Sequence, residues 1–218
     1  MRPFPLLFAA GFVVLVGCAP LFDADFEDDT PFEQPNLNPP GSPPGDEIQL
    51  DGGVNSVFEV TPNALDGAGS FRIEAAPNTM ARARMHADGI GDPERPIFVS
   101  FTGRLLAGSH SEINISTGGS IFAVQITLVD GSIKANSMPV GTYVEGGQHN
   151  MLLTMFPASD TFSLVFTGQV IVGDGITGSL ADPDSFPGDA YAMVVEILPT
   201  PDGGTYIVDN LHISSRNF

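Results

Sequence analysis

Hydrophobic and polar residues alternate over short segments along most of the chain from Ile48 onward. The alternating segments are separated by clusters of Gly, Asp and Pro, and no long stretch has helical periodicity. This pattern is typical of antiparallel strands joined by turns, so we predict an all-β fold, an antiparallel β-sandwich or a barrel. The predicted strands span residues 57–61, 70–75, 79–86, 97–101, 111–115, 120–129, 149–156, 161–166, 190–198 and 205–213.

The segment around residues 80–85 predicts a strand with two different faces. Arg82 and Arg84 share one side of it, while Ala81 and Ala83 share the other. Since side chains alternate across a strand, we expect the arginines to meet solvent and the alanines to face a core.

Two hairpins are predicted in the second half of the chain. Asp130-Gly131 lies between apolar runs, and this pair favours the positive φ angles of a two-residue turn. Residues 157–160 join the alternating runs 149–156 and 161–166. In this second hairpin, we expect Leu153, Met155, Leu164 and Phe166 to point into the core, and Ser163 and Thr167 to point outward.

The order of these elements resembles the concanavalin A-like lectin/glucanase superfamily, especially laminin-G-like jelly rolls. The matching positions are Asp130-Gly131, His149, 161–168 and 208–213, within the last hundred or so residues. The resemblance implies a jelly-roll sandwich and suggests a glycan as ligand. Gln148 stands where the family often has Trp, and the chain contains no Trp. An immunoglobulin-like sandwich and a small barrel are the alternative folds.

The N-terminus reads as a secretory signal. Arg2 precedes an apolar stretch that is too short for a membrane-spanning helix, and small Gly17 precedes Cys18. Residues 15–18, LVGC, resemble the bacterial lipobox, which implies removal of residues 1–17 and acylation of Cys18, including palmitate. Ala19 resembles the residue pattern of outer-membrane lipoproteins. We therefore expect a lipid-anchored protein of the cell envelope, with the outer membrane as its location.

Residues 18–47 are predicted to be a disordered tether that follows the lipidated cysteine. The segment has eight acidic residues, seven prolines and no Lys or Arg. Like charges repel each other, and proline interrupts helices and strand ladders. We therefore place the folded domain at 48–218.

The charge of the chain limits its partners. It has 26 acidic and 8 basic residues, a formal net charge of −18, which repels phosphate backbones and anionic lipids. We therefore expect no nucleic-acid partner, and the expected link to the membrane is the lipid anchor. Cys18 is the only cysteine, so an intramolecular disulfide is impossible.

Aromatic and acidic side chains supply the candidate binding residues. Tyr143, Tyr191 and Tyr206 have the amphipathic character of a platform on which a sugar stacks. No cofactor is expected, although the loop at 182–189 holds oxygen ligands suited to calcium, and Asp174 could add another. The acidic residues of that loop are Asp182, Asp184 and Asp189.

The sequence shows no catalytic constellation. The E-x-D-x-E run of catalytic members of the superfamily is missing, and Glu196 stands alone in its segment. There is no G-x-S-x-G motif, and the four histidines occur singly, without metal-ligand spacing. We predict a non-catalytic recognition module for a glycan or an envelope protein. The alternatives are a structural envelope lipoprotein and a degenerate glycoside hydrolase-like enzyme.

Overall fold

The computed structural model describes residues 20–37, 47–62, 65–88, 95–116, 122–172, 176–181 and 190–215. Two antiparallel sheets pack face to face, which confirms the predicted all-β sandwich. Sheet A contains β1 (Pro20–Ala24), β3 (Val57–Thr61), β4 (Ser70–Ala75), β6 (Ile97–Leu105), β11 (Gln148–Phe156), β12 (Thr161–Gly168), β14 (Ile176–Ser179) and β16 (Gly204–Ser215). Sheet B contains β2 (Glu47–Gly52), β5 (Ala81–Asp88), β7 (Ser111–Ser116), β8 (Phe122–Val129), β9 (Ser132–Ala135), β10 (Met138–Tyr143), β13 (Val170–Val172) and β15 (Ala190–Ile197).

Each sheet pairs some strands that are consecutive in the sequence and others that are far apart in it. The order in sheet A is β14-β12-β11-β6-β16-β4-β3, and β1 pairs with β16. The order in sheet B is β13-β10-β9-β8-β7-β15-β5-β2. Within the described ranges, no helix is both long and apolar enough to cross a membrane.

The core lies between the sheets and follows the alternation in the sequence. Leu153, Met155, Leu164 and Phe166 are buried as expected, while Thr167 is exposed. Ala81 and Ala83 of β5 are also fully buried, and the arginines between and after them are only half-buried. Alternate side chains of each strand thus fill the core, as in other sandwiches.

The two predicted hairpins are present. β8 and β9 join through Asp130 and Gly131, both with positive φ, and Val129 pairs with Ser132 across the turn. β11 and β12 pair along their lengths, and a 3-10 turn at Pro157–Ser159 connects them. Asp160 closes this turn in the left-handed conformation.

The prediction of a disordered tether over 18–47 is wrong for residues 20–37, which pack on the sandwich. β1 pairs with the C-terminal half of β16, and Phe22 pairs with Ile213. The Phe22 and Phe26 side chains are 0% and 5% exposed, and the Phe26 ring contacts the Phe71 ring. Burial of the aromatic rings offsets the cost of ordering an acidic segment, since the acids between them point to solvent. The predicted domain start at 48 is therefore too late.

Candidate functional site

The candidate site is a group of outward-facing polar side chains in the middle of sheet B, which we call the polar strip. These side chains alternate with core residues on four adjacent strands, so they share the outer face of the sheet. The strip consists of Arg82 and Arg84 of β5, Glu196 of β15, Glu112 and Asn114 of β7, and Gln125 of β8.

Two carboxylates of the polar strip face each other across a ladder. Glu196 pairs with Glu112 in the register of β15 and β7, so the two α-carbons are neighbours. Glu196 also pairs with Arg82 on its other side, and the Arg82 Nε atom donates to Glu196 Oε2 at 3.0 Å. Like charges placed directly opposite repel each other, and the ion pair with Arg82 offsets this repulsion. The expectation that Glu196 stands alone is corrected by this register.

Two amides bind the second carboxylate. Gln125 Nε2 donates to Glu112 Oε2 at 3.2 Å, and Asn114 Nδ2 donates to the same oxygen at 3.4 Å. Asn114 is 2% exposed, and its buried Oδ1 atom has no hydrogen-bond partner in the part of the chain that the structure describes. An unpaired buried acceptor is costly, so Asn114 is a polar group that a donor could satisfy.

Arg84 is the second cation of the polar strip. It lies opposite Gln49 on β2 and Val194 on β15, so neither cross-strand neighbour is acidic. No acidic partner of Arg84 is found among the described residues, although the whole chain carries a net charge of −18. A guanidinium of this kind can bind a carboxylate or the hydroxyl groups of a ligand.

The sequence predicted only the two arginines of this strip. Glu112, Asn114 and Gln125 were missed, although each occupies the polar parity of a predicted strand. Alternation shows that a residue faces outward, but it does not show which outward residues are neighbours. The pairing of β7 with β15 brings together residues about 80 positions apart, and sequence spacing carries no signal for that register.

The predicted tyrosine platform is corrected for two of its three members. Tyr206 is 0% exposed and Tyr143 is 6% exposed, so both rings belong to the core and cannot stack on a sugar. Burial raises the pKa of Tyr143 to about 12 and raises that of Tyr206 well above its usual value. Tyr191 lies in β15, but its side chain is outside the described residues.

Tyr206 instead takes part in a polar contact inside the core. Its hydroxyl lies 2.8 Å from Nε2 of His149, a residue with 1% exposure. Burial lowers the pKa of His149 to about 4. Gly103 lies beside them, where a Cβ atom would meet the Tyr206 hydroxyl at 2.7 Å and His149 Nε2 at 2.8 Å. Only glycine leaves room for this pair.

The remaining predicted site residues are outside the described residues. These are Cys18, the candidate calcium ligands Asp182, Asp184 and Asp189, and Asp174. Within the part of the chain that the structure describes, no three His, Cys, Asp or Glu side chains are arranged to hold a metal ion. The calcium site and the lipidated cysteine therefore stay predictions.

Comparison with solved structures identifies the fold. A sialidase is similar with a TM-score of 0.63 and 13% identity over 92% of this chain, which spans about a fifth (19%) of that protein. The lectin UEA-II complexed with galactose has a TM-score of 0.56 and 12% identity, and covers 90% of this chain and 98% of the lectin. An alginate lyase from polysaccharide lyase family 7 has a TM-score of 0.53 and 9% identity, and covers 73% of this chain and 82% of the lyase.

These neighbours confirm the jelly-roll sandwich that the sequence predicted. At such low identity, the likeness shows the fold and does not carry function with it. No protein-family model matches the chain, and no curated protein matches it either.

Proposed function

We propose that this chain is a lipid-anchored envelope protein whose jelly-roll domain is a non-catalytic module that binds a glycan. The polar strip on sheet B carries the proposal. It combines Arg84, which has no acidic partner among the described residues, with the half-buried amide of Gln125 and the nearly buried amide of Asn114 on one face of the sheet. Sugar hydroxyls both donate and accept hydrogen bonds, and such planar side-chain groups match them in pairs.

The fold supports this assignment. A lectin complexed with galactose and an alginate lyase are similar in fold over most of their length, and so is about a fifth (19%) of a sialidase chain. In a chain with a net charge of −18, Arg84 is one of only eight basic residues, and it can attract a negatively charged ligand group. A glycan that presents a carboxylate or vicinal hydroxyls is the ligand class that fits.

A glycan array tests binding, with neutral and acidic glycans and with and without calcium. Arg84→Ala should weaken binding of the best glycan about tenfold or more, since a charge-assisted hydrogen bond is lost. Arg104→Ala is the matched control. Arg104 is also half-buried and points outward without an acidic partner among the described residues, but it lies on sheet A.

The outcomes of the array separate the alternatives. Equal losses in both variants would contradict a site on the polar strip. No glycan binding at all would favour a protein ligand or a structural envelope role. Binding that depends on calcium but not on Arg84 would move the site to the loop at 182–189.

The anchor is part of the same proposal and rests on the LVGC sequence at residues 15–18. Cys18→Ser should move the protein from the membrane fraction to the soluble fraction or leave it unprocessed, because a hydroxyl cannot form the thioether. Unchanged membrane fractionation and mobility in the variant would contradict lipidation.

The facing carboxylates favour a second candidate, a degenerate glycoside hydrolase-like enzyme. Glycosidases use two carboxylates on either side of the bond that is cleaved, and Glu112 and Glu196 are adjacent across a ladder. Both are engaged by N–H donors of the protein, which argues for a structural role. Hydrolysis of a glycan that the array identifies, abolished by Glu112→Gln, would establish the enzyme.

A further inference from the structure

One end of sheet A presents an uncharged outer face, which we call the anchor-end face. It contains aromatic, aliphatic and hydroxyl side chains and no ionisable group. Three of the nine large hydrophobic side chains that are exposed among the described residues lie here, on two paired strands. The face consists of Leu152, Thr154 and Phe156 of β11 and Ser163 and Val165 of β12.

Exposure of these side chains is substantial. Leu152 is 43% exposed, Phe156 is 37% exposed and Val165 is 36% exposed. Leu152 and Val165 are directly opposite in the β11–β12 ladder, so their side chains adjoin. Their neighbours in the same ladder, Thr154 and Ser163, are neutral. The result is a patch that loses little hydration energy when it leaves water.

The anchor-end face lies where the chain enters the sandwich. Pro20 of β1 pairs with Ser214, Ser214 pairs with Phe98, and Phe98 pairs with Thr154. Adjacent strands are about 4.8 Å apart, so Thr154 is three strands, or about 15 Å, from Pro20. Phe156 is two residues beyond Thr154, towards the end of the sheet from which the chain arrives.

Covalent geometry holds Cys18 close to this end. Pro20 is the second residue after Cys18, and an extended chain spans at most about 3.6 Å per residue, or about 7 Å in all. Because β1 is fixed in sheet A, acyl chains on Cys18 would keep the Pro20 end of the sheet beside the bilayer surface. A tether of the predicted length of 18–47 would have imposed no such restriction.

We propose that the anchor-end face rests on the bilayer surface, with Phe156 in the headgroup region. This inference depends on the proposed lipidation of Cys18. The partner is a zwitterionic phospholipid surface, since the chain has a net charge of −18, and the exposed acids Asp23 and Asp160 flank the face. Aromatic and aliphatic side chains favour this interfacial layer. With this face on the bilayer, sheet B is turned outward, which leaves the polar strip accessible.

The absence of tryptophan from the chain provides the test. Phe156→Trp places one fluorophore on the anchor-end face, and Leu106→Trp is the matched control. Leu106 is also 37% exposed, but it follows the other end of β6. The lipidated variants are reconstituted into phosphatidylcholine vesicles with and without brominated acyl chains. Emission of the Phe156→Trp variant should fall roughly twofold in the brominated vesicles, while emission of the Leu106→Trp variant should stay unchanged.

Flotation of the same vesicles separates the two proposals, with Cys18→Ser as the unlipidated reference. A Phe156→Trp protein that floats without being quenched would overturn the docking and leave the anchor intact. A protein that does not float would overturn both. Emission that is blue-shifted at high protein density, and insensitive to bromine, would assign the face to a second copy of the chain and overturn membrane contact. Val165→Trp gives the same readout should Phe156→Trp fail to fold.

Discussion

At the scale of single residues, a buried histidine makes an unusual demand on the core. His149 lies between the sheets, 1% exposed, with its Nε2 atom 2.8 Å from the Tyr206 hydroxyl. The Phe101 and Phe166 rings contact it, so a charged imidazolium would lose its hydration without a carboxylate in return. Burial therefore holds the ring neutral and lowers its pKa to about 4.

This shift makes stability depend on pH. The unfolded chain takes up a proton near pH 6.5, whereas the folded chain does so only near pH 4, so the free energy of unfolding falls as the pH drops through this window. The lowered pKa corresponds to a loss of about 3 kcal/mol by pH 4. We expect urea unfolding at several pH values to show that the free energy of unfolding of His149→Gln changes with pH by about 1 kcal/mol per pH unit less than that of the wild type.

The control for this prediction is His110→Gln. His110 contacts the exposed Asp130 carboxylate at 2.9 Å instead of lying in the core. The His110→Gln variant should keep most of the pH dependence of the unfolding free energy between pH 6.5 and pH 4. A pH dependence that stays the same in His149→Gln and disappears in His110→Gln would contradict the assignment.

At the scale of elements, β1 extends the sheet where β4 ends. β4 pairs with β16 over Gly204–Val208, and β1 pairs with β16 over residues 211–214. Between them the register shifts, and Asp209 accepts hydrogen bonds from the Ser70 hydroxyl at 2.7 Å and the Asp66 amide at 3.1 Å. Without β1, this half of β16 would keep an unpaired edge, and without Phe26, which follows β1, the Phe71 ring would lose an aromatic contact.

A pair of phenylalanine variants tests whether β1 is part of the fold. Phe22→Ala should lower the free energy of unfolding by about 3 kcal/mol, since a fully buried ring is removed from the core. Phe32→Ala, at a ring that is 70% exposed, should change it by less than about 0.5 kcal/mol. Chemical denaturation measures both. Equal and small effects would restore the interpretation of residues 20–37 as a tether.

The difference between the predicted and the observed elements has a physical origin. Strands with clean alternation were predicted at their observed bounds, as for 57–61 and 70–75, and so was the Asp130-Gly131 hairpin. β10 was missed because Pro139 and Gly141 interrupt its alternation. β1 was missed because Pro20, Asp23 and the acids that follow the strand outweigh Phe22, whose partner Ile213 is almost 200 residues away. The pairing of β1 with β16 joins distant parts of the chain, so the local pattern of the sequence does not reveal it.

The same limit explains the candidate site. Alternation predicted outward arginines on β5, but the contact between Glu112 and Glu196 depends on the order of strands in sheet B. The chemistry of the tyrosines suits a sugar platform, but their burial depends on which parity of β10 and β16 faces the core. A single sequence shows that the two faces of a strand differ, but it does not show which of the two faces the opposite sheet will cover.

At the scale of the whole molecule, the sandwich has two chemically different outer faces. Sheet B carries the polar strip, and sheet A carries the uncharged anchor-end face near Pro20. With the proposed anchor beside the anchor-end face and the proposed ligand on the polar strip, the domain would hold its binding surface away from the membrane. The exposed acids Asp23 and Asp160 flank the anchor-end face, and with a net charge of −18 the mutual repulsion of the acidic residues acts on the whole fold.

Salt should therefore stabilise this protein. Repulsion among exposed acids is screened once the Debye length falls from about 30 Å at 0.01 M to below about 10 Å at higher ionic strength. Relief of about 1 kcal/mol would raise the Tm of a domain of this size by about 2–4 °C in sodium chloride. Because Asp160 and Asp202 are exposed carboxylates, the double variant Asp160→Asn/Asp202→Asn should start from a higher Tm at low salt and gain less from added salt. A Tm that falls with added salt would contradict this prediction. It would mean that the attraction within ion pairs such as Arg82–Glu196 contributes more to stability than the repulsion among the acidic residues takes away.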